Sequence, residues 1–163
     1  MSEPQQVTLR NFDAGDCDFL AAHFKKGKAA EEALVPGLSA TERALALVAE
    51  WAQKRYKGAY FEQFAICVDA RPVGWISLYA PYGDFSIGVG FEIIERERRK
   101  GYCCQALRLV LEYAKTLGYK TATSQVRKNN TPSIRLHEKC GFAVTGEGVS
   151  GRGNACYFYQ KDL

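Results

Sequence analysis

Three consecutive basic side chains stand directly before a glycine in the segment Arg98-Arg99-Lys100-Gly101-Tyr102-Cys103-Cys104. The segment follows a hydrophobic stretch and precedes apolar residues spaced as in a helix. Because a helix N-terminus presents unpaired N–H groups and the positive end of the helix dipole, this turn predicts a site for a phosphate or pyrophosphate. Gly101 would let such a ligand approach the backbone closely. The alternative is a solvated charge run with a turn glycine, and the segment alone does not separate the two.

A second polar group begins a later predicted helix. Asn130 opens this helix after a strand, and Ser133 and His137 follow on it. Since Ser133 and His137 are four residues apart, they share one helix face. The group predicts a polar line that could contact a ligand. The alternative is ordinary helix capping by Asn130, and capping and ligand contact can coexist.

The elements that must position these groups alternate between strands and helices. Strands are predicted at 5–12, 60–69, 72–80, 85–94, 121–126, 142–145 and 155–159, with a glycine-rich connection at 146–154 between the last two. Helices are predicted from Asp13 or Asp16 to Gly27, from Ser39 to Gly58, from the basic turn to Gly118, and from Asn130 to Gly141. The order β-α-α-β-β-β-α-β-α-β-β predicts an α/β (α+β) fold with helices packed on a mixed sheet. A length of 163 residues fits a single domain spanning 1–163.

Composition excludes several classes of protein. No apolar run approaches the about 20 residues of a membrane span, and the N-terminus lacks a signal peptide, so we expect a cytoplasmic protein without a membrane partner. The net charge is +4, and Glu95 and Glu97 are interspersed with the basic residues from Arg96 to Lys100, which argues against nucleic acid as a partner. The six cysteines lack CxxC spacing, so we expect small buried hydrophobic residues and no metal.

Both motifs resemble one known family. The segments Arg98 to Leu107, Asn130 to Ser133 and Leu136 to Phe142 are similar to the GNAT family of acetyl-CoA-dependent N-acetyltransferases. The resemblance is closest to the branch that includes the ribosomal-protein N-terminal acetyltransferases, and it covers 64–142. It implies a mostly antiparallel sheet whose fourth and fifth strands splay apart, with helices on both faces.

The resemblance also implies which residues bind acetyl-CoA. It places the pyrophosphate on the basic turn, through backbone amides and the charge of Arg99 or Lys100. It places pantetheine against the backbone of Ile93 and Ile94, and the pantetheine arm or thiol beside Asn130 and Ser133. The implied cofactor-binding residues are Ile93, Ile94, Arg98, Arg99, Lys100, Gly101, Tyr102, Cys103, Cys104, Asn130 and Ser133.

The sequence offers three candidates for catalytic roles. Many members of the family carry a tyrosine acid where this chain has His137, and a histidine can also protonate a departing thiolate. Ser133 could instead stabilise that thiolate by a hydrogen bond. Glu92 is the candidate general base for the attacking amine. The alternatives are a packed histidine at His137 and an exposed surface glutamate at Glu92.

The function that the resemblance implies is acetyl transfer from acetyl-CoA to a primary amine by direct attack in a ternary complex. The acceptor is a small-molecule amine or a peptide N-terminus, and a homodimer is left open. The alternative is a catalytically silent acyl-CoA-binding or regulatory module with the same fold. The sequence does not identify the acceptor.

Overall fold

A computed structural model describes residues 5–24, 37–80 and 85–163, which contain eight strands and four α-helices. The strands are β1 Val7–Asn11, β2 Arg55–Tyr56, β3 Ala59–Val68, β4 Arg71–Tyr79, β5 Ser86–Ile93, β6 Thr121–Arg127, β7 Ala143–Val149 and β8 Ala155–Asp162. The helices are α1 Cys17–His23, α2 Ala40–Trp51, α3 Tyr102–Thr116 and α4 Thr131–Lys139, with 3-10 turns at Ala14–Asp16 and Glu95–Glu97. The predicted end of the first helix at Gly27 lies outside the described residues.

One mixed sheet runs in the order β1-β3-β4-β5-β6-β8-β7, and β2 pairs with β3. Its neighbouring strands are antiparallel except β5 and β6, which are parallel. These two strands pair only between Ser86–Gly88 and Thr121–Thr123, although both continue further. The space between the unpaired parts of β5 and β6 is called the gap. The structure therefore confirms the predicted sheet, mostly antiparallel and splayed at the fourth and fifth predicted strands, which are β5 and β6.

Helices cover both faces of the sheet, as predicted. On β3, Phe64 and Ile66 point into a core that includes Leu107 and Val110 of α3. Ala65 alternates with them and joins a second core with α1 and α2. Because successive side chains of a strand point to opposite faces, this single strand contributes to two hydrophobic layers.

The second helix is shorter than predicted. It begins with the predicted capping box, in which Ser39 Oγ accepts the N–H of Glu42, but it ends at Trp51 rather than Gly58. The chain then forms a tight hairpin between β2 and β3, with both Lys57 and Gly58 at positive φ. Two such residues suit the type I′ turn that matches strand twist. The apolar residues of α2 recur at helical spacing, and this pattern does not indicate where the helix ends and the turn begins.

The glycine-rich stretch near the C-terminus is largely a strand rather than a loop. β7 continues through Gly146 and Gly148 to Val149, and the turn to β8 occupies only 150–154. The Phe158 ring on β8 covers both glycines, and a Cβ on Gly148 would come within 2.7 Å of it. Glycine fits at both positions because an aromatic ring lies across them. Strand propensity alone does not predict these glycines within a strand.

Candidate active site

The start of α3 is open. Gly101 occupies the N-cap at φ +79°, and no side chain caps the helix. The N–H of Gln105 donates to the Gly101 carbonyl at 3.4 Å, so the N–H groups of Tyr102, Cys103 and Cys104 precede the first intrahelical bond. A Cβ added to Gly101 would meet nothing within 4 Å. This start therefore has both the unpaired donors and the space that an anionic group needs.

An ion-pair network holds the turn that leads into α3. Glu97 is only 6% exposed and accepts hydrogen bonds from Arg71 Nη1 at 2.6 Å and from Lys100 Nζ at 3.0 Å. These two cations lower the pKa of Glu97 below its usual value. Arg99, at φ +64°, makes no hydrogen bond or ion pair with the described residues. Of the two candidate cations, Lys100 therefore stabilises the turn and Arg99 is available to a ligand.

The side chains of the first helical turn point into the protein. Tyr102 is buried and its hydroxyl donates to Gln5 Oε1 at 2.6 Å, which ties the helix start to the chain before β1. Burial raises the pKa of Cys103 to about 12, so this thiol stays protonated and is a poor nucleophile. Cys104 Sγ lies 3.3 Å from Cys140 Sγ, just after α4. The predicted contacts of this turn with a ligand therefore fall to its backbone.

The backbone of β5 faces the gap at alternate residues. The N–H of Ile94 donates to the Val73 carbonyl at 2.9 Å, on the β4 side. Because backbone groups alternate in an antiparallel pair, those of Ile93 and Phe91 point to the other side, into the gap. The Ile93 carbonyl accepts from Arg98 Nε at 2.8 Å. The N–H of Ile93 thus faces the gap and that of Ile94 does not. Phe91 also faces the gap, which the sequence alone does not indicate because the orientation depends on the register with β4. The pantetheine contacts of Ile93 and Ile94 stay predictions.

The start of α4 is closed by its own residues. The Asn130 side chain accepts the N–H of Ser133 at 3.3 Å, and Pro132 occupies the first turn. Ser133 and His137 share a face as predicted, since His137 Nδ1 lies 2.7 Å from the Ser133 carbonyl and 3.4 Å from its hydroxyl. Asn130 and Ser133 are both exposed enough to reach a ligand at this end of the sheet. Their predicted ligand contacts stay predictions.

His137 is a core residue, 1% exposed. Its ring stacks on Phe91 and contacts Phe142 and Tyr159, with centroid distances of 5.1 to 5.5 Å. Burial lowers its pKa below the usual value, which keeps the imidazole neutral near pH 7. The geometry agrees with the packed histidine that the sequence left as an alternative, and the role of His137 as an acid stays a prediction.

His137 has a partner that the sequence analysis did not identify. Its Nε2 lies 2.8 Å from Oγ of Ser124, which is buried on β6. Ser124 lies 13 residues before His137, on another element. Only the alternation of Thr121 to Val126, which turns Ser124 toward α4, could have indicated it.

The opposite face of β5 carries Glu92. Glu92 pairs in register with Trp75, is half-exposed, and lies 3.6 Å from Arg98 Nη2. Since Phe91 packs on His137, its neighbour Glu92 faces the other side of the sheet. On that side, the Tyr79 ring lies across Gly88, where a Cβ would overlap it. Glu92 and His137 therefore border the gap from opposite faces, and the role of Glu92 as a base stays a prediction.

The described ranges contain neither a metal cluster nor a membrane-spanning helix. No group of three or more His, Cys, Asp or Glu side chains among residues 5–24, 37–80 and 85–163 is arranged to hold a metal ion. Within the same ranges, every helix is too short or too polar to cross a membrane.

Comparison with known proteins identifies the family. The family model described as an acetyltransferase (GNAT) domain matches residues 6–143, from the start of β1 into β7. This chain belongs to the GNAT acetyltransferase family. The matched region contains the open start of α3, the gap and all of α4, so the GNAT resemblance predicted from the two motifs is confirmed.

Two curated relatives share part of their sequence with this GNAT chain. The SPbeta prophage-derived uncharacterized N-acetyltransferase YokL of Bacillus subtilis is 30% identical over 100 residues, which cover 60% of this chain and 56% of the relative. The L-methionine sulfoximine/L-methionine sulfone acetyltransferase of Pseudomonas paraeruginosa is 28% identical over 92 residues, which cover 52% of this chain and 54% of the relative. The chain thus matches about half the length of these relatives.

Solved structures share the GNAT fold over nearly the whole chain. A ribosomal L7/L12 alpha-N-protein acetyltransferase (RimL) in complex with coenzyme A superimposes with a TM-score of 0.78 at 17% identity, covering 97% of this chain and 94% of that one. The spermidine N-acetyltransferase of Vibrio cholerae, in complex with CoA and spermine, has a TM-score of 0.72 at 20% identity, covering 96% and 95%. At these identities the comparison confirms the fold.

Proposed function

We propose that this protein is an N-acetyltransferase that moves an acetyl group from acetyl-CoA to a primary amine by direct attack. One observation carries the proposal: the strand whose backbone lines the gap leads, through the short turn at Glu95–Glu97, to the uncapped start of α3. A diphosphate and an extended, hydrogen-bonding arm therefore have adjacent places on one continuous stretch, from Phe91 to Cys104. Family membership supports acetyl-CoA as the donor.

The donor's pyrophosphate binds the N–H groups of Tyr102, Cys103 and Cys104, with Arg99 adding charge. The pantetheine arm runs along the gap and pairs with the backbone of Phe91 and Ile93, as an added strand would. Asn130 Oδ1 is used to cap α4, which leaves the amide NH2 of that side chain to donate toward the arm.

The acceptor amine enters from the face of α1 and α2. Trp75 and Tyr79 provide aromatic walls there, and the exposed carboxylate of Glu92 attracts a cationic amine. Glu92 can also accept the proton that an ammonium must lose before it attacks. Methionine sulfoximine, spermidine and ribosomal-protein N-termini appear in the names of similar proteins and define the first acceptors to test.

The test is a turnover assay with an independent binding assay. Purified protein is incubated with acetyl-CoA and each of three acceptor types: an amino acid amine, a polyamine and an N-terminal peptide. Release of free CoA thiol is followed, and CoA affinity is measured separately by calorimetry. We expect CoA binding and turnover on at least one acceptor type. Binding without turnover on any of them favours the silent acyl-CoA-binding module, and absence of both contradicts the proposal.

A further inference from the structure

The Ser124 hydroxyl lies where the two parallel strands part. Pairing between β5 and β6 ends at Gly88 and Thr123, and the next residue on each strand is Val89 and Ser124. Ser124 Oγ lies 3.5 Å from the Val89 carbonyl and is on the face covered by α4. The hydroxyl is therefore at the closed end of the gap, within the protein and beside the space that the thioester arm would fill.

The hydrogen-bond partners of His137 and Ser124 determine which of their atoms carry protons. A carbonyl oxygen only accepts, so the 2.7 Å contact with the Ser133 carbonyl requires a proton on His137 Nδ1. In the neutral ring Nε2 then has no proton and accepts the single hydroxyl proton of Ser124 at 2.8 Å. A hydroxyl bonded to an imidazole that a third group orients is the arrangement by which proteins move protons to and from a reacting atom.

We propose that Ser124 and His137 form a proton relay, which takes a proton from the attacking amine and returns it to the leaving thiolate. This inference rests on the proposed acetyl transfer. It also changes the role predicted for His137: the neutral ring carries no proton toward the gap, so it can only return one that it has first accepted.

The relay conserves atoms and charge. When the amine nitrogen bonds to the carbonyl carbon of the thioester, the nitrogen becomes positive and the carbonyl oxygen negative. Ser124 Oγ takes one proton from that nitrogen while its own proton passes to His137 Nε2. The C–S bond then breaks as the C=O double bond returns. Ser124 passes a proton to the thiolate sulfur and regains one from Nε2, so the products are an amide, a CoA thiol and a neutral imidazole.

The groups packed around the His137 ring favour a transient rather than a permanent positive charge on it. Phe91 of β5, Ser124 of β6 and Tyr159 of β8 pack against it, and Phe142 covers it after α4. Tyr159 is the titratable one among these, and burial raises its pKa so that it stays neutral. Burial lowers the pKa of His137, and no charged group contributes to that shift. The ring is therefore ready to accept a proton at pH 7 and gives it up readily.

Three variants test the relay. Ser124→Ala should lower kcat ~100-fold, the lower end of what general acid–base catalysis contributes, with CoA affinity within about twofold of wild type. Ser124→Thr keeps a hydroxyl and should recover most of the lost kcat. Thr123→Val is the matched control, because Thr123 also directs a hydroxyl at a β5 carbonyl, 3.4 Å from Ile87, but lies on the other face. It should leave kcat within about twofold of wild type.

Two further readouts separate a relay from a structural contact. The lowered pKa means that His137 accepts protons above this pKa and loses that ability as pH falls through it. Wild-type kcat should therefore fall on an acid limb centred below pH 6.5, the ordinary histidine value, and Ser124→Ala should lack this limb. Nitrogen-15 NMR of the imidazole, which needs no substrate, should show the proton on Nδ1 at pH 7.

The outcomes distinguish this inference from the proposed function. A wild type that turns over while Ser124→Ala keeps its kcat and pH profile overturns the relay and leaves acetyl transfer intact. A proton on Nε2 overturns the relay whatever the activity. A wild type without turnover on any acceptor contradicts the proposed function, and the relay fails with it.

Discussion

The two helices that flank the gap begin in opposite ways. At α4, the Asn130 side chain occupies the N–H of Ser133, and Pro132 removes a further donor. At α3, a left-handed Gly101 offers no side chain, and nothing lies within 4 Å of where its Cβ would be. Both starts are at the same edge of the sheet. We infer that an uncapped helix start is open to an anionic ligand whereas a capped one is not, and substitutions at the two starts test this contrast.

The largest effect is expected at the open start. Gly101→Glu places a carboxylate in front of the donors and should weaken CoA binding by at least ~100-fold, about 2.8 kcal/mol. The matched control is Gly118→Glu at the other end of the same helix. Gly118 has φ +95° and no neighbour within 4 Å of its missing Cβ, so both variants carry the same kind of backbone strain, about 1–2 kcal/mol.

Calorimetric titration with CoA measures both glycine variants after thermal unfolding has shown that they fold. Gly118→Glu should bind CoA as the wild type does. Equal losses in the two variants would mean that strain and not the ligand site is responsible, and unchanged affinity in Gly101→Glu would remove the α3 start as the phosphate site.

The second-largest effect is expected on stability, from a substitution in the turn that precedes the open start of α3. Glu97→Gln loses the ion pairs with Arg71 and Lys100 and should cost about 1.5 kcal/mol of stability at pH 7. Because the pKa of Glu97 is lowered in the folded state, its contribution is present above the unfolded value near 4.3 and is lost as pH falls through the folded value.

Urea unfolding of wild type and Glu97→Gln at pH 7 and pH 3 measures this linkage. We expect the difference in unfolding free energy to shrink at the lower pH, because pH 3 lies below the unfolded pKa of Glu97 and the wild type then binds a proton at this carboxylate on unfolding. A difference that is the same at both pH values would show that packing of the side chain, rather than its charge, holds the turn.

Removing the cap at the start of α4 should lower the stability of the protein more than it weakens CoA binding. Asn130→Ala removes the cap and should cost about 1 kcal/mol in unfolding free energy, with CoA affinity reduced no more than about fivefold, the effect of one lost hydrogen bond to the arm. Ser39→Ala removes the cap of α2, which is far along the chain from the gap, and should cost a similar amount. Loss of CoA affinity greater than tenfold in Asn130→Ala alone would show that the α4 start is also a principal ligand site.

The contrast between the two starts follows largely from local sequence. Asn130 and Pro132 specify a capped helix, and Gly101 after three basic residues specifies an open one, because caps depend on a few neighbouring residues. The order of the elements and the splayed sheet also agree with prediction. Local sequence does not determine which backbone groups of β5 face the gap. The N–H of Ile94 donates to Val73 of β4, and this direction depends on the register between the two strands.

Ser124 shows the same limit within the site. Strand alternation indicates the face on which Ser124 lies but not that an imidazole meets it there, since His137 arrives on α4 through tertiary packing. The short strand β2 was missed for a related reason: it exists only because Lys57 and Gly58 fold it back onto β3. Residues whose role depends on register or on contacts between elements need the fold before they can be assigned.

The smallest predicted effect separates two neighbouring cations at the open start. Arg99 has no partner among the described residues, whereas Lys100 Nζ lies 3.0 Å from Glu97. Arg99→Ala should therefore weaken CoA binding about threefold at low salt, and the loss should shrink as salt screens the exposed charge. Lys100→Ala should lower stability more than affinity, because its charge is already neutralised by the carboxylate that it holds. Calorimetry at two salt concentrations decides between them: a greater loss of affinity in Lys100→Ala would mean that the lysine leaves Glu97 when the phosphates bind, and that the turn itself rearranges around its ligand.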